Sequence, residues 1–426
     1  MSSKTKTNAV QEDGKPALVP KLRFPEFRGA GAWKSKRLGD LFSDRQESGQ
    51  TGLPLLSLMD KEGIVPQEDS NRKNNSNSDK SKYLRVVPGD IAYNTMRMWE
   101  GRSALVGLEG LVSPAYTVCE PQPGVHSLLF SYYFKTPQLI EQFRRYSQGL
   151  VKDTLNLKYA AFSQVSAPIP TFPEQQKIAS CLSSVDELIA AQARKLASLK
   201  THKKGLMQQL FPGAGETQPR LRFPEFQNAP KWISNSLGSI FDTSSGGTPD
   251  RTKEEYWNGS IPWITTSLVG FNIIIDADEF ITDAGLNNSS AKVFPENTIL
   301  MAMYGQGKTR GQVAMLGIKA ATNQACAAIL PRKDIDPRFV FLNLGSRYEE
   351  LRGLSNSGGQ ENLSQGLIQG IQFSYPNDKA EQQRIADCLT SLDALIAAQT
   401  HKLAALKTHK QGLMQQLFPA PEEPNS

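Results

Sequence analysis

Residues 174–213 read EQQKIASCLSSVDELIAAQARKLASLKTHKKGLMQQLFPG, and residues 381–420 read EQQRIADCLTSLDALIAAQTHKLAALKTHKQGLMQQLFPA. The two stretches align without a gap at an offset of 207, with 30 identities in 40 positions. A repeat of this quality decides how the chain is organised. Each copy opens on a helix-start pattern. Thr171-Phe-Pro-Glu174 has the form of a capping box, with Pro173 in the first turn, and Asp378-Lys-Ala-Glu381 stands in the matching place. Each copy closes on Leu-Phe-Pro, at Pro212 and Pro419, because proline cannot continue a helical hydrogen-bond ladder.

The apolar spacing between these ends is that of a coiled coil. In the first copy one seam row is Ile178, Val185, Gln192, Leu199, Leu206 and the other is Leu182, Ile189, Leu196, Lys203, Leu210. The second copy gives Ile385, Leu392, Gln399, Leu406, Leu413 and Leu389, Ile396, Leu403, Lys410, Leu417. Gln192/Gln399 and Lys203/Lys410 are polar at matching seam positions. Either they set register, or the seam opens there or meets another subunit. Gly205 and Gly412 interrupt good helix formers, each costing about 1 kcal/mol against alanine. They suggest a bend or a close approach. The simplest partner for each helix is the other. Heptads leave open whether the pair runs parallel or antiparallel; an antiparallel pair would carry pseudo-twofold symmetry. A helix of about 35 residues is roughly 50 Å long, about one and a half turns of B-DNA.

Outward from the helices, a second repeat appears at the front of each half. Pro20-Lys-Leu-Arg-Phe-Pro-Glu-Phe27 recurs as Pro219-Arg-Leu-Arg-Phe-Pro-Glu-Phe226, at an offset of 199. Trp33, Leu38, Gly39 and Phe42 recur as Trp232, Leu237, Gly238 and Phe241. The middles diverge in length and residues. Recent duplication with tolerant loops would explain this, but near-identical helices beside divergent middles fit a shared frame carrying two different reading heads. The chain divides into a tail (1–19), a first variable domain (20–170), helix 1 (171–213), a second variable domain (214–376), helix 2 (377–420) and a tail (421–426). Both variable domains read as α+β. The first has strands at Asp90–Trp99 and Ser103–Val106, a polar loop at Ser70–Ser78 and a helix at Leu128–Tyr146. The second has strands near Ile261–Thr266, Asn297–Tyr304 and Gln312–Leu316 and a helix near Arg338–Leu354.

Composition bounds the function. The hydrophobic content of 39% and charged content of 21% suit a globular protein. No apolar run reaches the roughly 18 residues of a membrane helix. Met1 to Lys15 is polar, so no secretory signal is expected. Four cysteines without a Cys-x-x-Cys pair suit a reducing cytoplasm and argue against a zinc site. A net charge of +6 is weak evidence for nucleic acid by itself.

Candidate DNA-facing residues lie after a strand in each half: Asn94, Arg97 and Arg102 in the first, and Tyr304, Gln306, Lys308, Thr309, Arg310 and Gln312 in the second. Arginine and lysine suit phosphates or guanine edges, and Asn and Gln suit adenine edges. Arg72 and Lys73 in the polar loop, Lys152, and Gln360 with Asn362 are further candidates. An ordinary polar hairpin explains any one of them equally well. Ala302–Thr309 fits a relaxed phosphate-loop pattern, but a strand-like run follows where a helix is needed. His202/His409 lie on a lysine-rich helix face and Cys181/Cys388 on the helices, where solvation and packing are the default roles. No catalytic constellation and no metal set emerge from spacing.

Lys21–Phe27 with its copy, Pro173-Glu-Gln-Gln-Lys-Ile-Ala179, and Lys203–Pro212 with its copy resemble the specificity (S, or HsdS) subunits of type I restriction-modification systems. The resemblance implies an α+β fold with two target recognition domains, each followed by a long helix, the helices pairing as an antiparallel coiled coil. It implies that each domain reads one half of a split, asymmetric double-stranded DNA target, and that the coiled coil spaces the domains and docks two methylation (M) subunits. Restriction (R) subunits, two of them, would add ATP-driven cleavage. The chain itself would be non-catalytic and hold no cofactor, with S-adenosylmethionine, ATP and Mg2+ belonging to partner subunits. The Asn/Asp-Pro-Pro-Tyr/Phe motif of adenine methyltransferases is absent from the sequence. The family's recognition domains share no fixed base-contact motif, so no contact residue carries over. A two-component type II recognition subunit and a coiled-coil protein-interaction scaffold are the alternatives.

Overall fold

The computed structural model describes residues 19–59, 63–70, 79–304, 308–354 and 362–419. Two helices of 39 residues dominate the element order, Phe172–Leu210 and Lys379–Leu417. The chain divides into two compact units, Met1–Gln192 with Lys402–Ser426, and Ala193–His401. Each unit therefore holds one front repeat, one variable region, the start of one long helix and the end of the other.

In the first unit a four-stranded antiparallel sheet runs in the order Phe42–Asp44, Tyr116–Pro121, Ile91–Asn94, Ser103–Leu105. Lys34–Arg37 pairs with Ser166–Ile169, closing the variable region at its two ends. The expected helix over 128–146 is two helices, Ser127–Tyr133 and Pro137–Tyr146. Pro137 starts the second because it has no N–H to extend the first. The strand expected over 90–99 stops at Asn94, whose side chain accepts from the Met96 N–H at 2.9 Å and turns the chain. The aromatic core of Trp33, Phe42, Phe130, Tyr133, Phe134 and Phe162 receives Ile178 and Leu182 from one long helix, Leu417 from the other, and Phe418 just past its end. Phe418 stacks on Tyr133 with ring centroids 4.6 Å apart.

The second unit repeats this plan and adds to it. Its main sheet has the order Thr243–Ser245, Cys326–Ile329, Ile299–Ala302, Val313–Leu316, Ile273–Ile274, so its first four strands match those of the other unit. A further four-stranded sheet is built around Trp257–Ile264, where Arg251 stacks 3.9 Å from the Trp257 ring. The helix expected over 338–354 breaks at Arg347 into Pro337–Ser346 and Tyr348–Gly353. The core gathers Phe211, Trp232, Phe339 and Phe373 with Leu206 and Leu210 of one long helix and Ile385 and Leu389 of the other. Gly39 and Gly238 match in role as well. A Cβ there would lie 2.8 Å from Ser163 Cβ and 2.7 Å from Gln369 Cβ, so only glycine lets these segments pass.

Within each unit the two helix segments run antiparallel. In the first, Asp186 meets Lys410 at 2.7 Å while Ile178 and Leu182 pack with Leu413 to Phe418. In the second, Lys203 meets Asp393 at 2.5 Å while Leu206 and Leu210 pack with Ile385 and Leu389. The seam lysines are thus neutralised across the helix pair. Every seam residue named above is buried or half-buried, and neither Gln192 nor Gln399 lacks a partner. No helix among the described residues is long and apolar enough to cross a membrane.

The capping-box reading needs correction at its glutamates. Glu174 does not reach back to its own helix start. Arg23 grips both its oxygens at 2.7 Å, and Trp33 Nε1 donates to it at 3.3 Å. The same clamp recurs as Arg222, Glu381 and Trp232, at 2.6–2.8 Å and 3.2 Å. Asp378 does cap, accepting from the Ala380 N–H at 2.8 Å. Leu22 N–H donates to the Gln416 carbonyl, and Leu221 N–H to the Gln209 carbonyl, both at 2.9 Å. The front repeat therefore ties the start of one helix to the end of the other within each unit. Gly205 and Gly412 need neither a bend nor a close approach, since the helices run on past them and a Cβ would meet nothing within 4 Å.

Two outcomes follow for denaturant melts. Arg23 and Glu174 have side chains 7% and 1% exposed. Glu174→Ala strands a buried guanidinium and should lose about 3–5 kcal/mol of stability. Gly205→Ala and Gly412→Ala should each raise stability by about 1 kcal/mol. Unchanged midpoints would refute both assignments.

Candidate nucleic-acid interface

In the first unit the turn after Ile91–Asn94 is built as a rigid knuckle. Met98 is buried beneath it, Trp99 Nε1 donates to the Met96 carbonyl at 2.9 Å, and Gly101 takes φ 78°. A Cβ on Gly101 would also meet Ile140 at 3.0 Å. Arg97 and Arg102 leave the knuckle on either side of Glu100, at 3.3 and 3.0 Å. Both keep about two fifths of their side chains exposed. Lys152 is exposed on a neighbouring loop, which the Leu157 N–H joins to the Thr95 carbonyl at 2.8 Å. Four sequence candidates, Asn94, Arg97, Arg102 and Lys152, thus belong to two segments bonded to each other.

The second unit repeats the arrangement with other residues. The segment between Ile299–Ala302 and Val313–Leu316 carries Tyr304, Lys308, Thr309, Arg310 and Gln312. Here the Leu363 N–H donates to the Met303 carbonyl at 2.9 Å, bringing Asn362 beside it. Tyr304 and Lys308 are exposed, and Thr309, Gln312 and Asn362 are half-buried. The Tyr348 hydroxyl donates to the Lys308 carbonyl and fixes the turn. Arg310 differs: its guanidinium turns inward and donates to the Arg352 carbonyl at 3.1 Å. Lys308 to Gly311 form turns that lead into a strand, so the helix needed by a phosphate loop does not follow. Arg72, Lys73, Gln306 and Gln360 lie outside the described residues.

Sequence reasoning passed over the apolar residues beside these turns. Met96, Leu150 and Val151 are exposed in the first unit, as are Phe271, Ile273 and Ile275 in the second. In the first unit the signal was an apolar residue set in a polar loop, whereas Ile273 opens the short strand Ile273–Ile274. Nucleophilic chemistry finds no support at the buried cysteines. Burial pushes the Cys119 thiol well up and that of Cys326 up to about 12, which leaves both as thiols at neutral pH. Cys181 and Cys388, expected to be buried, are half-exposed.

The sequence profile described as the type I restriction modification DNA specificity domain matches residues 31–201 and 230–408, once in each half. The chain belongs to that family. The specificity subunit of the type I restriction enzyme EcoR124I/EcoR124II from Escherichia coli is 28% identical over 256 residues, which is 57% of this chain and 59% of that subunit. The MjaVIII specificity subunit from Methanocaldococcus jannaschii is 24% identical over 353 residues, 79% of this chain and 82% of that one. Among solved structures, the S subunit of a type I restriction-modification system from M. genitalium shares the fold, with a TM-score of 0.56 and 16% identity. That match covers 95% of this chain and all of the other. A chain from another type I restriction-modification system superposes with a TM-score of 0.57 at 17% identity, covering 91% and 98%.

The geometry separates this family member's cationic candidates. Lys152→Ala and Lys308→Ala should weaken duplex binding and reduce the slope of log affinity against log salt by about 1 each. Arg310→Ala should lower the melting temperature and leave that slope unchanged. A salt titration by fluorescence anisotropy, with thermal melts alongside, checks both. The inward placement of Arg310 is wrong if its loss flattens the slope as the lysines' does.

Proposed function

We propose that this chain is the non-catalytic DNA-recognition subunit of a type I restriction-modification enzyme, each unit reading one half of a bipartite, asymmetric target. One observation carries the reading. The same backbone bond, Leu157 to Thr95 and Leu363 to Met303, holds different side chains on matching frames. A shared frame with different exposed residues is what reading two different sequences requires. The paired helices serve as the spacer between the readers and as the surface on which two methylation subunits dock. S-adenosylmethionine belongs to those subunits, and ATP and Mg2+ to two restriction subunits that complete the cleaving enzyme. The chain's part is to hold phosphates through lysine and arginine and to read base edges through Asn, Gln and Tyr.

The test is a methylation map. DNA from cells carrying this chain with its methylation subunit should show adenine methylation at one gapped motif. Replacing residues 28–170 with the corresponding region of a relative should change one half of the motif only. A change in both halves overturns the two-reader model. A protein-interaction scaffold predicts no motif and no salt-dependent affinity for duplex DNA.

A further inference from the structure

We propose that Leu150 is an apolar wedge, presented by the first unit against a base step of the duplex it reads. The inference rests on the DNA-reading function above and deepens it at one residue. Leu150 is fully exposed; Val151 beside it is 61% exposed, and Met96 on the adjoining knuckle 46%. Single exposed apolar residues are common and call for no explanation on a pliant loop. This loop is held at three places. At its foot the Gln148 N–H donates to the Asn156 carbonyl at 2.9 Å, and the Asn156 N–H returns the bond at 2.8 Å. In its middle the Thr154 hydroxyl accepts from the Val151 N–H at 3.3 Å and donates to the Val151 carbonyl at 2.9 Å. At Gly149 the chain takes φ 141°, where a Cβ would stand 2.5 Å from the Thr154 carbonyl oxygen. Only glycine follows that path, and Leu150 beside it faces outward, fully exposed.

The surroundings select nucleic acid as the occupant. Residues 94–102 and 148–158 hold Arg97, Arg102, Lys152 and Lys158 against Glu100 and Asp153. An apolar tip set among excess cations matches a phosphate-lined groove, where leucine, methionine and valine can part a base step that lysine and arginine hold in place. The second half has no equivalent in sequence. Leu363 corresponds to Leu157, and the residue matching Leu150 at that spacing is Asn356. This leucine therefore belongs to the first half alone, in addition to any base extruded for methylation.

The experiment uses the full chain in complex with its methylation subunits. Its probes are duplexes of the mapped motif with 2-aminopurine placed in turn at each position. Wild type should raise the fluorescence at one step of the first half, apart from the methylated adenine. Leu150→Ala should abolish that rise and weaken binding about tenfold, with the methylated motif unchanged. Leu150→Met should retain most of both. Binding within about twofold of wild type and an unaltered fluorescence profile in Leu150→Ala would overturn the wedge while leaving the reading function intact. Loss of subunit assembly in Leu150→Ala, with stacking unaltered, would assign Leu150 to a protein contact and overturn it also. A wild-type complex with no sequence-specific affinity would overturn the reading function itself, and the wedge with it.

Discussion

Everything in each unit is hung on a buried ion pair. Arg23 on Glu174 and Arg222 on Glu381 are bidentate, nearly free of solvent, and completed by a tryptophan N–H. Two charges leave water at a high price, and only full pairing with good geometry offsets it. Such a contact contributes modest net stability but is intolerant of error. It accepts one arrangement of front repeat and helix start. Matched glutamines add to it. Gln175 accepts from the His126 N–H and donates to the Pro170 carbonyl, and Gln382 does the same with Asp336 and Pro376. Two of the three residues in the Glu-Gln-Gln near each helix start are thus accounted for. The first two side chains fasten the helix to its unit, and the third, exposed, makes no part of the clamp.

The rest of the frame follows from that anchor. Once the helix start is fixed, the heptad positions face inward, and the seam lysines fall opposite Asp186 and Asp393. A slip of register would leave a half-buried ammonium without its carboxylate. Polar seam residues thus specify alignment where leucines alone would permit several. The variable regions meet this frame through an apolar core on one side and through strand pairing at their two ends. The strand pairs Lys34–Arg37 with Ser166–Ile169, and Ile233–Ser236 with Gln372–Tyr375, close each region by main-chain bonds. Side chains on the far turns can change without disturbing them.

Legibility in the sequence tracked the range of the interaction. The long helices and their seam were readable because a 3.5-residue period is local and repeated four times over. The direction of pairing was not readable, since heptads are indifferent to it. Asp186 and Lys410 decide it from 224 positions apart. Glu174 was recognisable as a helix-start residue, but its partner Arg23 lies 151 residues away, and a local motif was the wrong explanation for it. The front and back repeats did contain all three clamp residues twice, so the pairing left a trace that spacing alone could not interpret. At the turns, residue type picked out separate segments, and the bonds Leu157–Thr95 and Leu363–Met303 bring them together. Which side chains point outward could not be had from type. Arg310 and Lys308 look alike in sequence, but Arg310 turns inward to the Arg352 carbonyl while Lys308 is exposed.

The sharing of helices between units also orders the birth of the fold. Ala193–His401 contains every contact of the second unit's core, including both of its helix segments. That unit has all its parts once residue 401 has emerged from the ribosome. The first unit, although its variable region is made earliest, stays open on one side until Leu413, Leu417 and Phe418 arrive to cover Tyr133 and Trp33. Contacts of such long sequence separation form late and slowly. In this chain the unit begun first is finished last, and through most of synthesis its aromatic face is the one left waiting.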